Sequence, residues 1–112
     1  MKNQSYGEPM TLQTDHQGFL LDAREWTEQW ASKTANDRDV TWENIDIDIV
    51  NTLRDFYFEF DLSPAMRPLV KHIKNSFGGD IGNSIWLMQR YGESPARILA
   101  LLAGLPKPKN CL

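Results

Sequence analysis

The sequence predicts a mainly helical α+β domain: a small N-terminal β-hairpin, a bundle of about five helices and an extended C-terminal arm. Three observations carry this. Apolar residues recur at helical spacing through most of the chain, most plainly Ile45, Ile49, Leu53, Phe56 and Phe60. The tripeptide Ser-Pro-Ala occurs twice, at 63–65 and 94–96, with a serine able to accept from an early helical N–H and a proline suited to the first helical position. The C-terminal stretch AGLPKPKNCL holds two prolines and no apolar periodicity, so no regular element is expected there.

Taken in order, residues 1–8 are polar and offer nothing to a core, so a frayed start is expected. Thr11 to Thr14 alternates weakly, Asp15-His16-Gln17-Gly18 supplies turn chemistry and Phe19-Leu20-Leu21 follows, which reads as the hairpin. Asp22 is placed to cap a helix to about Thr34, with Ala23, Trp26, Trp30 and Ala31 on one side. Both tryptophans read as core. Thr41 can cap the helix bearing the Ile45-to-Phe60 stripe, which is expected to be central, with Asp46, Asp48, Asn51, Arg54, Asp55 and Glu59 mostly off the stripe. The helix opened by Ser63 runs through Leu69, Val70, Ile73 and Phe77 to Gly78-Gly79, with Pro68 expected to cost it a backbone bond and able to kink it. Asn83-Ser84 opens a short helix ended by Gly92. The last helix runs from Pro95 to about Ala103, with Gly104 as a left-handed C-cap. The organisation is then a loose start at 1–8, a helical domain at 9–103 and a mobile arm at 104–112.

The composition fits one soluble domain: 112 residues, 41% hydrophobic, 11% aromatic and 24% charged. The net charge of −3 argues against a chain whose main task is coating nucleic acid. One cysteine cannot close an intramolecular disulfide, no signal-peptide pattern is visible, and no apolar run approaches a membrane span, so a cytoplasmic protein is expected. His16 and His72 stand apart from each other and from the cysteine, and Gly78 to Gly82 lacks the order of a phosphate loop, so neither metal nor cofactor is expected. Ser63 and Ser94 pair with no histidine and read as caps, not nucleophiles.

Two features remain. Arg67, Lys71 and Lys74 fall at i, i+4 and i+7, a basic stripe that is either a solvated face or a docking surface for an acidic partner or tRNA phosphates. A helix-turn-helix reader of DNA fits less well, for want of a second basic element. The other feature is Cys111, the only thiol, one residue from the end. From Gly104 the nine-residue tail could span roughly 30 Å if extended, and its prolines favour extension. A thiol so placed can enter another protein's active site. Lys107 and Lys109 favour its thiolate and the terminal carboxylate opposes it, so activation is left to a partner's pocket. The residues alone leave open whether Cys111 works or is incidental.

Gly104-Leu105-Pro106-Lys107-Pro108-Lys109-Asn110-Cys111-Leu112 resembles the C-terminal signature of the DsrC/TusE family of sulfur-carrier proteins. Further segments resemble that family in the same order: Arg54 to Tyr57, Ser63 to Lys71, Gly82 to Ser84 and Ser94 to Ala96, so that the likeness covers most of 11–112. The resemblance implies a helical domain with a mobile arm, and Cys111 as a persulfide carrier. Members serving dissimilatory sulfite reductase have a second cysteine eleven positions upstream, where this chain has Ala100. A lone thiol cannot expel sulfur by closing a disulfide within the arm. The likeness therefore favours the TusE type, which implies a sulfurtransferase relaying sulfur from a TusBCD-like donor complex to an MnmA-like tRNA 2-thiouridine synthase with bound tRNA. The alternatives are a partner of sulfite reduction or sulfur oxidation and, third, a regulator. Arg67, Lys71, Lys74, Lys107 and Lys109 are the candidate docking residues.

Overall fold

The computed structural model describes residues 12–109. The expected frayed start at 1–8, Thr11 and Cys111 lie outside them. Within them are a short 3-10 turn, Ala23–Glu25, and five helices: α1 Glu28–Asp37, α2 Asn44–Phe60, α3 Met66–Phe77, α4 Ser84–Tyr91 and α5 Pro95–Leu102. The helical class and the helix count match the reading from sequence.

No strand forms among the described residues. The predicted hairpin is reduced to one antiparallel bridge between Thr14 and Leu20, around a turn in which the Asp15 carboxylate accepts from the N–H groups of Gln17 and Phe19. The side chain takes donors that a longer ladder would need, and Asp22 begins the next turn two residues after the bridge. The helix expected from Asp22 to Thr34 is broken. Asp22 caps only the 3-10 turn, accepting from Arg24 N, and Thr27, extended at φ −135°, restarts the chain as the cap of α1 by accepting from Trp30 N.

Thr41 does not cap α2. Glu43 holds that position and its N–H is taken by the Asp46 carboxylate, three residues on, at 2.8 Å. Ile49 and Leu53 of the stripe are buried, with Val50 beside them, but Phe60 at its far end is exposed. Ser63 does not cap α3 either; Ala65 occupies the N-cap. Pro68 removes no bond from α3, because the first backbone donor is Leu69 N, bonding to Ala65 O, and every earlier N–H is without an intrahelical partner in any helix. Asn83 caps α4 as predicted, accepting from Trp86 N. Gly82 before it is required by packing, since a Cβ there would sit 2.3 Å from the Cα of Lys74.

The central element is α5, not α2. Six of its eight residues, Pro95, Ala96, Leu99, Ala100, Leu101 and Leu102, are buried, and it touches each of the other four helices. Its small residues Ala96 and Ala100 let neighbours approach closely, while Leu99, Leu101 and Leu102 fill the space between them. The arm is thus the continuation of the core helix.

Candidate site at the root of the arm

A helix ends with carbonyls that have no intrahelical donor. At α5 each of the terminal ones finds a partner. Gly104, at φ +69°, turns the chain so that Gly104 N donates to Leu101 O and Leu105 N to Ala100 O, the two bonds of a Schellman cap. Leu105 is driven into the core and is 0% exposed. Leu99 O accepts from Ala103 N. The next carbonyls are taken by side chains from three other parts of the fold. Trp26 Nε1 donates to Leu102 O at 2.7 Å, Arg54 Nη1 to Ala103 O at 2.8 Å, and Ser63 Oγ to Pro106 O at 2.6 Å. No residue but glycine fits at 104, because a Cβ would stand 2.6 Å from Trp26 Cδ1.

Arg54 is the cation at this helix end, where the dipole favours one. Its guanidinium lies over the ring of Trp26 at 4.5 Å and of Phe58 at 5.3 Å. Burial draws its pKa below the ordinary value, and arginine nonetheless stays charged. The sequence placed Trp26 in the core and Arg54 off the stripe; their bonds to the arm root could not be read from spacing. Both come from segments remote in sequence.

The described part of the arm lies closer to the body than an outstretched tail would. Leu105 and Pro108 are buried, while Pro106, Lys107 and Lys109 are exposed. Arg67, Lys71 and Lys74 are all exposed on α3, which carries no acidic residue. Among the described residues every other basic side chain is engaged: Arg24 by Asp22, Lys33 by Asp37, Arg90 by Glu43 and Asp46, Arg38 by Gln17 O, Arg54 by Ala103 O, and Arg97 over the Phe19 ring. The five without such a bond or ring contact to another described residue are Arg67, Lys71, Lys74, Lys107 and Lys109. The Ser63–Pro106 bond joins the approach to α3 to the arm.

A second polar cluster went unseen in the sequence. Asp46, 0% exposed, accepts from Arg90 Nε at 2.7 Å, from Arg90 Nη2, from the Tyr91 hydroxyl and from Glu43 N. Burial alone would raise its pKa; the donors outweigh burial and hold it below the ordinary carboxylate value. Burial, then the Asp46 carboxylate, pushes the Tyr91 phenol well above its usual range. This cluster ties the start of α2 to the end of α4 and binds no arm residue. His16 is exposed, and His72 bonds Thr52 O at 3.3 Å beside Phe56. No group of three metal-ligating side chains occurs among the described residues. Nor is any helix there long and apolar enough to cross a membrane. Ala100 is buried in α5, with its carbonyl in the Schellman cap.

The chain is similar to known proteins over most of its length. The family model described as DsrC like protein matches residues 8–112. Sulfurtransferase TusE of Escherichia coli is 38% identical over 101 residues, covering 90% of this chain and 93% of the relative. The NMR structure of Allochromatium vinosum DsrC superposes with a TM-score of 0.80 at 32% identity, covering 88% of each chain. The oxidised gamma-subunit of the dissimilatory sulfite reductase (DsrC) from Archaeoglobus fulgidus gives 0.76 at 31%, covering 90% of this chain and 92% of that one.

Proposed function

This chain belongs to the DsrC-like protein family, and on that premise we propose that it is a sulfur carrier whose Cys111 accepts sulfur as a persulfide from a TusBCD-like donor and relays it to a tRNA 2-thiouridine synthase of MnmA type. The observation that supports this best is a single penultimate thiol on an arm that continues from the core helix, with alanine, not cysteine, at position 100.

The chemistry needs no cofactor. The Cys111 thiolate attacks the outer sulfur of a donor persulfide, a new S–S bond forms, and the donor leaves as a thiolate. An acceptor thiolate then attacks the same outer sulfur and Cys111 is released as a thiolate. No electrons are gained or lost overall. With Ala100 buried and without a thiol, the arm cannot end the cycle by an internal disulfide, which favours handing sulfur on.

The body's part is to bring the arm to its partners. Arg67, Lys71, Lys74, Lys107 and Lys109 form the docking face, as the exposed cations left without described partners in a chain of net charge −3. The arm from Gly104 onward delivers the sulfur, and its described part is seated on the body at Leu105 and Pro108. A role beside dissimilatory sulfite reductase is the second reading, favoured by the likeness to the Archaeoglobus protein.

The test is to load the protein with isotopically labelled sulfur and add acceptor enzyme, ATP and tRNA. Label in 2-thiouridine is expected. Label retained on the protein with this acceptor, but released to a sulfite reductase, would exchange the two readings.

A further inference from the structure

We propose that Ser63 is the positioning residue of the thiol arm: its hydrogen bond to Pro106 holds the arm short, and its release lengthens the reach of Cys111. The proposal rests on the carrier reading above and concerns how far the thiol can travel.

Ser63 precedes α3 but does not serve it, because the N-cap is Ala65 and no side chain caps the helix. Its hydroxyl, in a residue 8% exposed, instead donates to Pro106 O at 2.6 Å. The arm has little else to bind with. Pro106 and Pro108 carry no N–H, so between Leu105 and Lys109 the only backbone donor is that of Lys107. Among the described residues, the Ser63 bond and the burial of Pro108 are what hold the arm beyond its Schellman cap.

Reach depends on where the arm is held. With Pro108 seated, Cys111 is three residues away and can stand off by roughly 10 Å. Freed back to Gly104, whose cap and close fit against Trp26 keep it in place, the thiol is seven residues away and reaches roughly 23 Å. The short reach suits exchange with a thiol near a partner's surface, and the long one a buried site. One neutral hydrogen bond shifts such an equilibrium by roughly two- to tenfold, enough to bias the arm and weak enough for a docked partner to reverse.

The test uses the full chain with nitroxides on Cys111 and on a cysteine introduced at the exposed Asn75 (Asn75→Cys), in three backgrounds: unaltered, Ser63→Ala and Ser63→Thr. The distance distribution is expected to broaden in Ser63→Ala and to match that of the unaltered background in Ser63→Thr, which keeps the hydroxyl. Trypsin cleavage after Lys109 is expected to accelerate roughly two- to tenfold in Ser63→Ala alone. Distributions and cleavage rates unchanged in a folded Ser63→Ala protein would overturn the assignment. In the corresponding unlabelled chains without the introduced cysteine, sulfur loading on Cys111 is expected to be equal; its absence from the otherwise unaltered chain would instead defeat the carrier reading.

Discussion

Gly104→Ala probes the arm root most sharply, and its effect can be worked from two separable terms. An L-residue held in the left-handed region at φ +69° costs roughly 1–2 kcal/mol. The added methyl would lie 2.6 Å from Trp26 Cδ1 and 2.9 Å from Leu20 Cδ1, an overpacking worth about 1–3 kcal/mol. The lower entropy of the unfolded alanine chain returns about 0.4–1 kcal/mol. A net loss of about 1–5 kcal/mol is expected. Gly92→Ala is the matched control, since Gly92 also has positive φ, +90°, but nothing lies within 4 Å of its would-be Cβ. It should lose only the conformational difference, about 1 kcal/mol or less. Thermal unfolding followed by circular dichroism should then place Gly104→Ala about 4–12 °C below Gly92→Ala, at roughly 4 °C per kcal/mol. Tryptophan emission should change only in Gly104→Ala, because Trp26 must move. Equal melting temperatures would refute the claim that close packing against Trp26 fixes the root.

The Asp46 cluster makes a pH prediction. Its folded pKa is depressed, so its stabilisation is complete above the ordinary carboxylate value of about 4 and is lost as pH falls through the folded value. Asp46→Asn should cost about 3 kcal/mol at neutral pH and flatten the acid limb of a stability-against-pH curve measured by urea unfolding; an unchanged acid limb would mean other carboxylates carry it. Reversing charge at Arg67, Lys71 and Lys74 to glutamate should leave sulfur loading from polysulfide unchanged and slow transfer to a protein acceptor at low salt. That gap should narrow as ionic strength rises, and stopped-flow transfer rates with equal salt dependence in both proteins would contradict docking through this face.

Helix positions were legible because amphipathic spacing and the caps at Asn83 and Gly104 are local signals. The errors were also local choices that tertiary structure decided. Glu43 rather than Thr41 caps α2 because Asp46 could serve both as its capping partner and as the acceptor for Arg90 and Tyr91, which lie on another helix. Ser63-Pro64-Ala65 resembled Ser94-Pro95-Ala96, yet only the second proline opens its helix; the Ser63 hydroxyl is bound to an arm 43 residues away, a separation no local pattern encodes. The apolar run Ile98 to Ala103 could have announced α5 as the central element, since a helix apolar on all sides has no solvent face. At the candidate site, the five basic residues and the arm motif were visible in the sequence, whereas the three donors holding the arm root were not. Each of them pairs with a backbone carbonyl, which leaves no complementary residue type to notice.

Whether Cys111 carries sulfur, as proposed, is measured directly by intact mass. After incubation with a polysulfide or persulfidated donor protein and removal of excess reagent, the unaltered chain should gain one sulfur atom that a reductant removes, and Cys111→Ala should gain none. Equal gain by both proteins, or none by either, would rule out Cys111 as the carrier.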